Sequence, residues 1–132
     1  MANVLIVDDD EDDRDLFCIA VHELDPKINC ILARNGEEAL QGLRLEKFPK
    51  PDLIFLDLNM PRLNGFQFLR ELKKDIQLKG IPIVIYTASK QQEDLDETKE
   101  LGAEHFFAKP NSFMELCQIV RGVFAKELIH LK

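Results

Sequence analysis

Five short apolar runs, separated by segments of helical periodicity, constrain this chain more than any other feature. Val4-Leu5-Ile6-Val7 shows no polar alternation, so it predicts a strand buried on both faces. Leu16, Phe17, Ala20, Val21 and Leu24 then recur at three- and four-residue spacing, which marks one face of a helix, and Asp25-Pro26 ends it. Ile28–Ala33 predicts a second strand; after the Asn35-Gly36 turn, Ala39, Leu40 and Leu43 mark a second helix. Asp52–Leu56 predicts the third strand, and Phe68, Leu69 and Leu72 line a third helix for which Asn64 is a suitable N-cap. Ile81–Tyr86 is the fourth strand, residues 90–101 a polar helix closed by Gly102, and His105–Ala108 the fifth strand. Phe113, Leu116, Val120, Phe124, Leu128 and Leu131 lie along a last helix. Strict alternation of strand and helix demands crossover connections, hence a parallel sheet with helices on both faces.

At 132 residues the chain suits one domain, residues 1–132, with no linker, repeat or low-complexity segment. Its net charge of −7 makes nucleic acid or an anionic membrane a poor partner, because phosphate neutralisation needs Lys and Arg in excess. No apolar run approaches the ~20 residues of a membrane helix. No basic region precedes the first apolar run, so no signal peptide is read, and a cytoplasmic location is expected. Cys18, Cys30 and Cys117 are widely spaced, with no CxxC and no His/Cys pair at zinc spacing. They read as small buried thiols in a reducing compartment. His22, His105 and His130 are scattered, and no ligand role is expected of them.

In an open parallel sheet, ligands bind beyond the carboxyl ends of the strands. Asp8 and Asp9 follow the first strand, Asp57 and then Asn59 the third, Thr87 and Ala88 the fourth, and Lys109-Pro110 the fifth. Clustered carboxylates repel and cannot all stay ionised without a cation. A few oxygen ligands suit Mg²⁺, which keeps several waters and accepts a phosphate oxygen as another ligand. Lys109 is a point charge suited to a phosphoryl oxygen, and Thr87 is a neutral donor. A carboxylate nucleophile beside Mg²⁺, an ammonium and a hydroxyl is the apparatus for an aspartyl-phosphate. Residues 8–15 hold seven acids and one arginine, and Asp57 supplies one more, so the acidity is concentrated at this edge. Asp10 to Asp13 read as capping and dipole compensation for the first helix.

Leu5-Ile6-Val7-Asp8-Asp9, Leu56-Asp57-Leu58-Asn59-Met60-Pro61 with Gly65, Tyr86-Thr87-Ala88 and Lys109-Pro110 occur in order over nearly the whole chain. In this conjunction the chain resembles the receiver (REC) domain of bacterial two-component response regulators. It is similar to the small stand-alone kind, including those partnered with phytochrome-type histidine kinases. The resemblance implies a doubly wound (βα)5 flavodoxin-like α/β sandwich of three layers, with a parallel sheet of order 2-1-3-4-5. It implies that Asp57 accepts a phosphoryl group from a sensor histidine kinase or phosphotransfer protein. Asp9 and Asp57 would ligate Mg²⁺ through carboxylates, Asn59 through its backbone carbonyl, and Asp8 through ordered water. Lys109 would pair with the phosphoryl oxygens and Thr87 would carry the switch. The Lys109-Pro110 bond is expected to be cis.

Two positions depart from the pattern. Phe106 stands where the switch residue is often Tyr, so any rotamer switch here is steric. Asn111 follows Lys-Pro where an apolar residue is common. Asn59 and Ser89 occupy the positions where family members tune autodephosphorylation. No output sequence follows the last helix, so the expected output is a partner protein, with a homodimer through the fourth helix, fifth strand and fifth helix as one use of that face. Two other readings compete. A haloacid-dehalogenase-type enzyme wants a second Asp where Asn59 stands, and a pseudo-receiver, a phosphorylation-independent interaction module, would lack Asp57, Lys109 or the acid pair. The expected chemistry is therefore self-phosphorylation and self-dephosphorylation, not turnover of a separate substrate.

Overall fold

The computed structural model describes residues 2–60, 63–88 and 92–127. The elements alternate as the apolar runs require: β1 (Asn3–Val7), α1 (Glu11–Leu24), β2 (Asn29–Ala33), α2 (Gly36–Arg44), β3 (Leu53–Leu56), α3 (Gly65–Lys74), β4 (Ile83–Thr87), α4 (Gln92–Glu100), β5 (His105–Ala108) and α5 (Phe113–Lys126). The strands form one parallel sheet of order β2-β1-β3-β4-β5.

Each uninterrupted apolar run is divided between two cores by the two-residue period of the strand. Leu5, Val7, Ile54, Leu56, Ile83 and Ile85 pack with Leu40, Leu43, Phe68, Leu69 and Leu72 of α2 and α3. Val4, Ile6, Leu53, Phe55, Val84 and Tyr86 pack with Phe17, Val21, Val120, Val123 and Phe124 of α1 and α5. The aromatic rings of Phe17, Phe55 and Tyr86 meet at centroid distances of 4.4 to 6.4 Å beneath the sheet's carboxyl edge.

Local chemistry fixes the helix starts. Asp10 caps α1 by accepting from the Asp12 and Asp13 amides, Asn35 caps α2, Asn64 and Gln67 form a capping box at α3, and Ser112 caps α5. Pro82 lies just outside β4, where its missing N–H costs nothing and its carbonyl accepts from the Ile54 amide. Two expected core positions are exposed instead. Leu16 is 47% and Phe113 39% accessible, because α1 and α5 face the sheet and each other through Phe17, Val21, Val120 and Phe124. The helix expected over residues 90–101 is described from Gln92; its buried residue is Thr98, whose hydroxyl donates to the Leu95 carbonyl. Ser89, Leu128 and Leu131 lie outside the described residues.

Candidate functional site

The sheet brings the strand-end residues to one edge. The Asp57 amide donates to the Val7 carbonyl (3.0 Å) and the Asp8 amide to the Ala33 carbonyl (3.1 Å), so the two acids extend neighbouring strands side by side. Asp8 is fully buried and Asp57 is 3% exposed, whereas Asp9 is exposed. A carboxylate oxygen from each of Asp8, Asp9 and Asp57 lies within 4.8 Å of the other two. Gly65, at the start of α3, is needed for this packing. A Cβ there would come to 2.6 Å from Leu58 Cα and 2.7 Å from the Asp57 carbonyl oxygen, so a side chain would force apart the loop that carries Asp57.

Lys109 reaches across from the end of β5. Its amide donates to the Thr87 carbonyl (2.9 Å), and its ammonium lies 2.8 Å from Asp13 Oδ2 and 3.2 Å from the Oδ2 atoms of both Asp8 and Asp57. Burial works against the ammonium's charge. The Asp13 hydrogen bond and the charges of Asp57 and Asp8 together outweigh it and hold the pKa above the usual lysine value. For Asp57, burial dominates and pushes the carboxyl up to about 6. Lys109 and the Asn59 amide pull it down, and the Asp8 charge adds to the rise.

Thr87 is buried at the end of β4, and its Oγ1 accepts from Asn59 Nδ2 at 3.0 Å. Asn59 also donates its amide to Asp57 Oδ1 (3.2 Å), so one residue bridges the acid and the hydroxyl. Phe106 stands apart: half-buried on β5, it packs against the core on the α2 and α3 side.

The structure corrects one expectation. The Lys109–Pro110 bond is trans, as no cis peptide occurs among the described residues. Trans is the lower-energy isomer for an X–Pro bond by about 0.5–1 kcal/mol. The aim of Lys109 needs no other, because its backbone bond to Thr87 and three carboxylates already hold it.

Three participants had no clear signal in the sequence. Asp13, read as one more capping acid, instead makes the shortest contact to Lys109. Tyr86, an aromatic in a buried strand, donates its hydroxyl to Asp8 Oδ2 at 2.8 Å. Burial and the Asp8 charge keep that phenol protonated, its pKa well above the ordinary value. Arg14 donates from Nη1 to the Asp8 carbonyl (2.8 Å), which fixes the loop from behind. A polar tip on an otherwise apolar run, as in Tyr86, was the one available hint.

The donor set fits a hard divalent cation. Asp8, Asp9 and Asp57 offer only oxygen, and Lys109 alone does not neutralise them together with Asp13. A model of the response regulator receiver domain matches residues 4–121. The chain belongs to this family.

Among curated proteins, PilH of Pseudomonas aeruginosa is 32% identical over 131 residues, covering 95% of this chain and 99% of PilH. Response regulator Rcp1 of Synechocystis sp. is 31% identical over 124 residues, covering 91% of this chain and 84% of Rcp1. The Mn²⁺-bound form of Rcp1 superposes with a TM-score of 0.87 at 29% identity, covering all of this chain and 98% of the other. The phosphorylated cyanobacterial phytochrome response regulator RcpA gives 0.89 at 30% identity, covering 97% and 94%. Receiver domains are signalling phosphoacceptors. Histidine kinases or phosphotransfer proteins phosphorylate them, their acidic pocket binds Mg²⁺ or Mn²⁺, and they act on output partners. Among the described residues, no helix is long and apolar enough to cross a membrane.

Proposed function

We propose that Asp57 is the phosphoacceptor of this receiver domain and that its phosphorylation state sets the conformation offered to a partner protein. One observation carries the reading: Asp57 is a buried strand-end carboxylate facing the Lys109 ammonium at 3.2 Å and joined to Thr87 through Asn59. A carboxylate oxygen of Asp57 attacks the phosphorus of a phosphohistidine. The O–P bond forms as the P–N bond breaks, and the imidazole leaves. Lys109 lies beside the attacking group, already positive, and neutralises charge on the transferring phosphoryl oxygens without reorganising. Asp9 and Asp57 through carboxylates, Asn59 through its backbone carbonyl and Asp8 through water are the groups that would hold Mg²⁺. When bound, the cation supplies charge neutralisation and orientation. Tyr86 and Arg14 keep Asp8 in place throughout.

The phosphoryl group adds charge and acceptor oxygens at Asp57. Thr87 then exchanges its Asn59 partner for a phosphoryl oxygen, and Phe106 turns inward into the space that Thr87 vacates. With Thr98 as its buried residue, α4 is weakly anchored and can shift at low cost.

Incubation with acetyl phosphate and Mg²⁺ tests the acceptor. The intact mass should rise by one phosphoryl group in the wild type and stay unchanged in Asp57→Asn. Labelling that persists in the variant would overturn the assignment. For the switch, beryllofluoride with Mg²⁺ should perturb amide NMR signals in residues 84–125 more than in residues 28–48. Uniform shifts would refute a rearrangement confined to the α4-β5-α5 face.

A further inference from the structure

Against the expectation of no His/Cys pair at zinc spacing and no ligand role for His22, Cys18 and His22 lie one turn apart on α1 at i and i+4, and β2 presents Cys30 to them. We propose that Cys18, His22 and Cys30 form a binding site for a thiophilic divalent cation of the Zn²⁺ class, separate from the acidic pocket. Ligands at i and i+4 project from one helix face, the spacing that places two metal ligands on a single helix. One ligand atom from each of the three residues lies within 4.8 Å of the other two. Cys18 Sγ and His22 Nδ1 are 3.8 Å apart. Two such ligands on a tetrahedral Zn²⁺, with bonds of about 2.3 and 2.0–2.1 Å, stand about 3.6 Å apart, so little movement is required.

The orientation of the imidazole supports the assignment. His22 Nε2 lies 3.0 Å from the Ile28 carbonyl, which only accepts. That contact places the ring proton on Nε2 and turns the Nδ1 lone pair toward Cys18. A ligating histidine is commonly fixed in this way, by donating its other N–H to a backbone carbonyl. The half-buried cysteines flank the margin of the α1 and α5 core, while His22 is exposed. The open side gives a cation its path in and a water the fourth position.

The cluster is remote from the acidic edge. Cys30 is paired with Val4, three residues and ~10 Å along the sheet from the Val7–Ala33 pair that flanks Asp8. Its donors are also of a different kind, sulfur and nitrogen rather than carboxylate oxygen, so the two sites should sort cations by softness. Binding displaces the thiol protons, so affinity should rise with pH.

Co²⁺ is a suitable probe, added to the reduced, metal-free protein in excess Mg²⁺. Thiolate-to-metal charge-transfer absorption with tetrahedral d–d bands should appear at one equivalent, and Zn²⁺ should bleach it. The charge-transfer bands should weaken markedly in Cys18→Ser and in Cys30→Ser, each of which keeps one thiolate, and vanish when both are replaced. The dissociation constant should weaken at least about tenfold in His22→Gln. Cys117→Ser should leave the spectrum unchanged, because Cys117 lies outside the cluster. Absence of charge-transfer bands in the wild type, or their loss in Cys117→Ser, would overturn the proposal. The same holds if the reduced protein takes up no Co²⁺ while peptide mapping of the air-oxidised protein recovers a Cys18–Cys30 disulfide. Should a serine variant fail to fold by circular dichroism, the wild-type and Cys117→Ser spectra still decide the matter.

Discussion

Replacing Lys109 with Met is expected to destabilise the metal-free protein by about 3 kcal/mol at pH 7. The ammonium is the cation shared by Asp8 and Asp57, whose side chains are 0% and 4% accessible, and by the more exposed Asp13. Removing one partner of a buried ion pair costs on the order of 3–5 kcal/mol, because the charge left behind has lost its water and gained nothing. Here protonation of Asp57 limits the loss. Already pushed up to about 6 with Lys109 present, its carboxyl rises further without it and takes up a proton. The cost should therefore shrink at pH 5. Met retains an apolar stem near the Tyr86 ring, over which the Lys109 ammonium lies 5.4 Å from the centroid, so packing loss adds little. Urea unfolding in EDTA and in Mg²⁺ measures the effect. The cation should restore most of the stability, since anything bound to the folded state alone stabilises it. Equal stability of variant and wild type in EDTA at pH 7 would mean that Lys109 does not hold the acids.

Asp57→Asn should act in the opposite direction. The carboxyl rises from an ordinary value of 3.8 to about 6 in the folded protein, chiefly by burial. Between those values the folded state binds the proton more tightly than the unfolded chain does. The group's contribution to stability is thus fully present below pH 3.8 and is lost as pH rises through 6. In EDTA, wild type relative to Asp57→Asn should lose stability from pH 4 to 7 and change little above that. At about 1.4 kcal/mol per pH unit, the total is about 3 kcal/mol. By pH 7 the variant should be the more stable protein. Saturating Mg²⁺ should flatten the difference curve, since a cation favours the ionised carboxylate. A difference that grows in the wild type's favour with pH would show that Lys109 outweighs burial. Asp9, exposed to water, should show a much smaller effect when changed to Asn.

Much of the site was legible because apolar runs stop abruptly. Val4–Val7 ends at Asp8, Leu53–Leu56 at Asp57, and both strands are buried on both faces, so their first polar residues must emerge at the sheet's edge. Asn64 and Asp10 were readable as caps because a cap is a bond to an amide two or three residues away. Lys109 and Thr87 were placed by the same strand-end logic, and their backbones pair as neighbours. The isomer of the Lys109–Pro110 bond was not legible. Tertiary contacts aim the lysine from both sides, and either isomer leaves the same residues in the chain.

Sequence by itself determined the alternating architecture, the two buried faces of the sheet and the edge at which chemistry occurs, since these follow from periods of two and 3.6 residues and from where they stop. Only the tertiary structure decided which of the seven acids in residues 8–15 meet Lys109. It also decided that Tyr86 donates to Asp8, 78 residues away, and that Cys30 reaches Cys18 and His22. The Tyr86–Asp8 contact follows from the strand order that sets β1 and β4 on either side of β3, whereas those of Asp13, Cys18 and His22 depend on the rotation and docking of α1 against the sheet. Every α1 residue shares one local helical geometry, so the face turned toward Lys109 or β2 is set by packing of Phe17, Ala20 and Val21 and not by any neighbour in the chain.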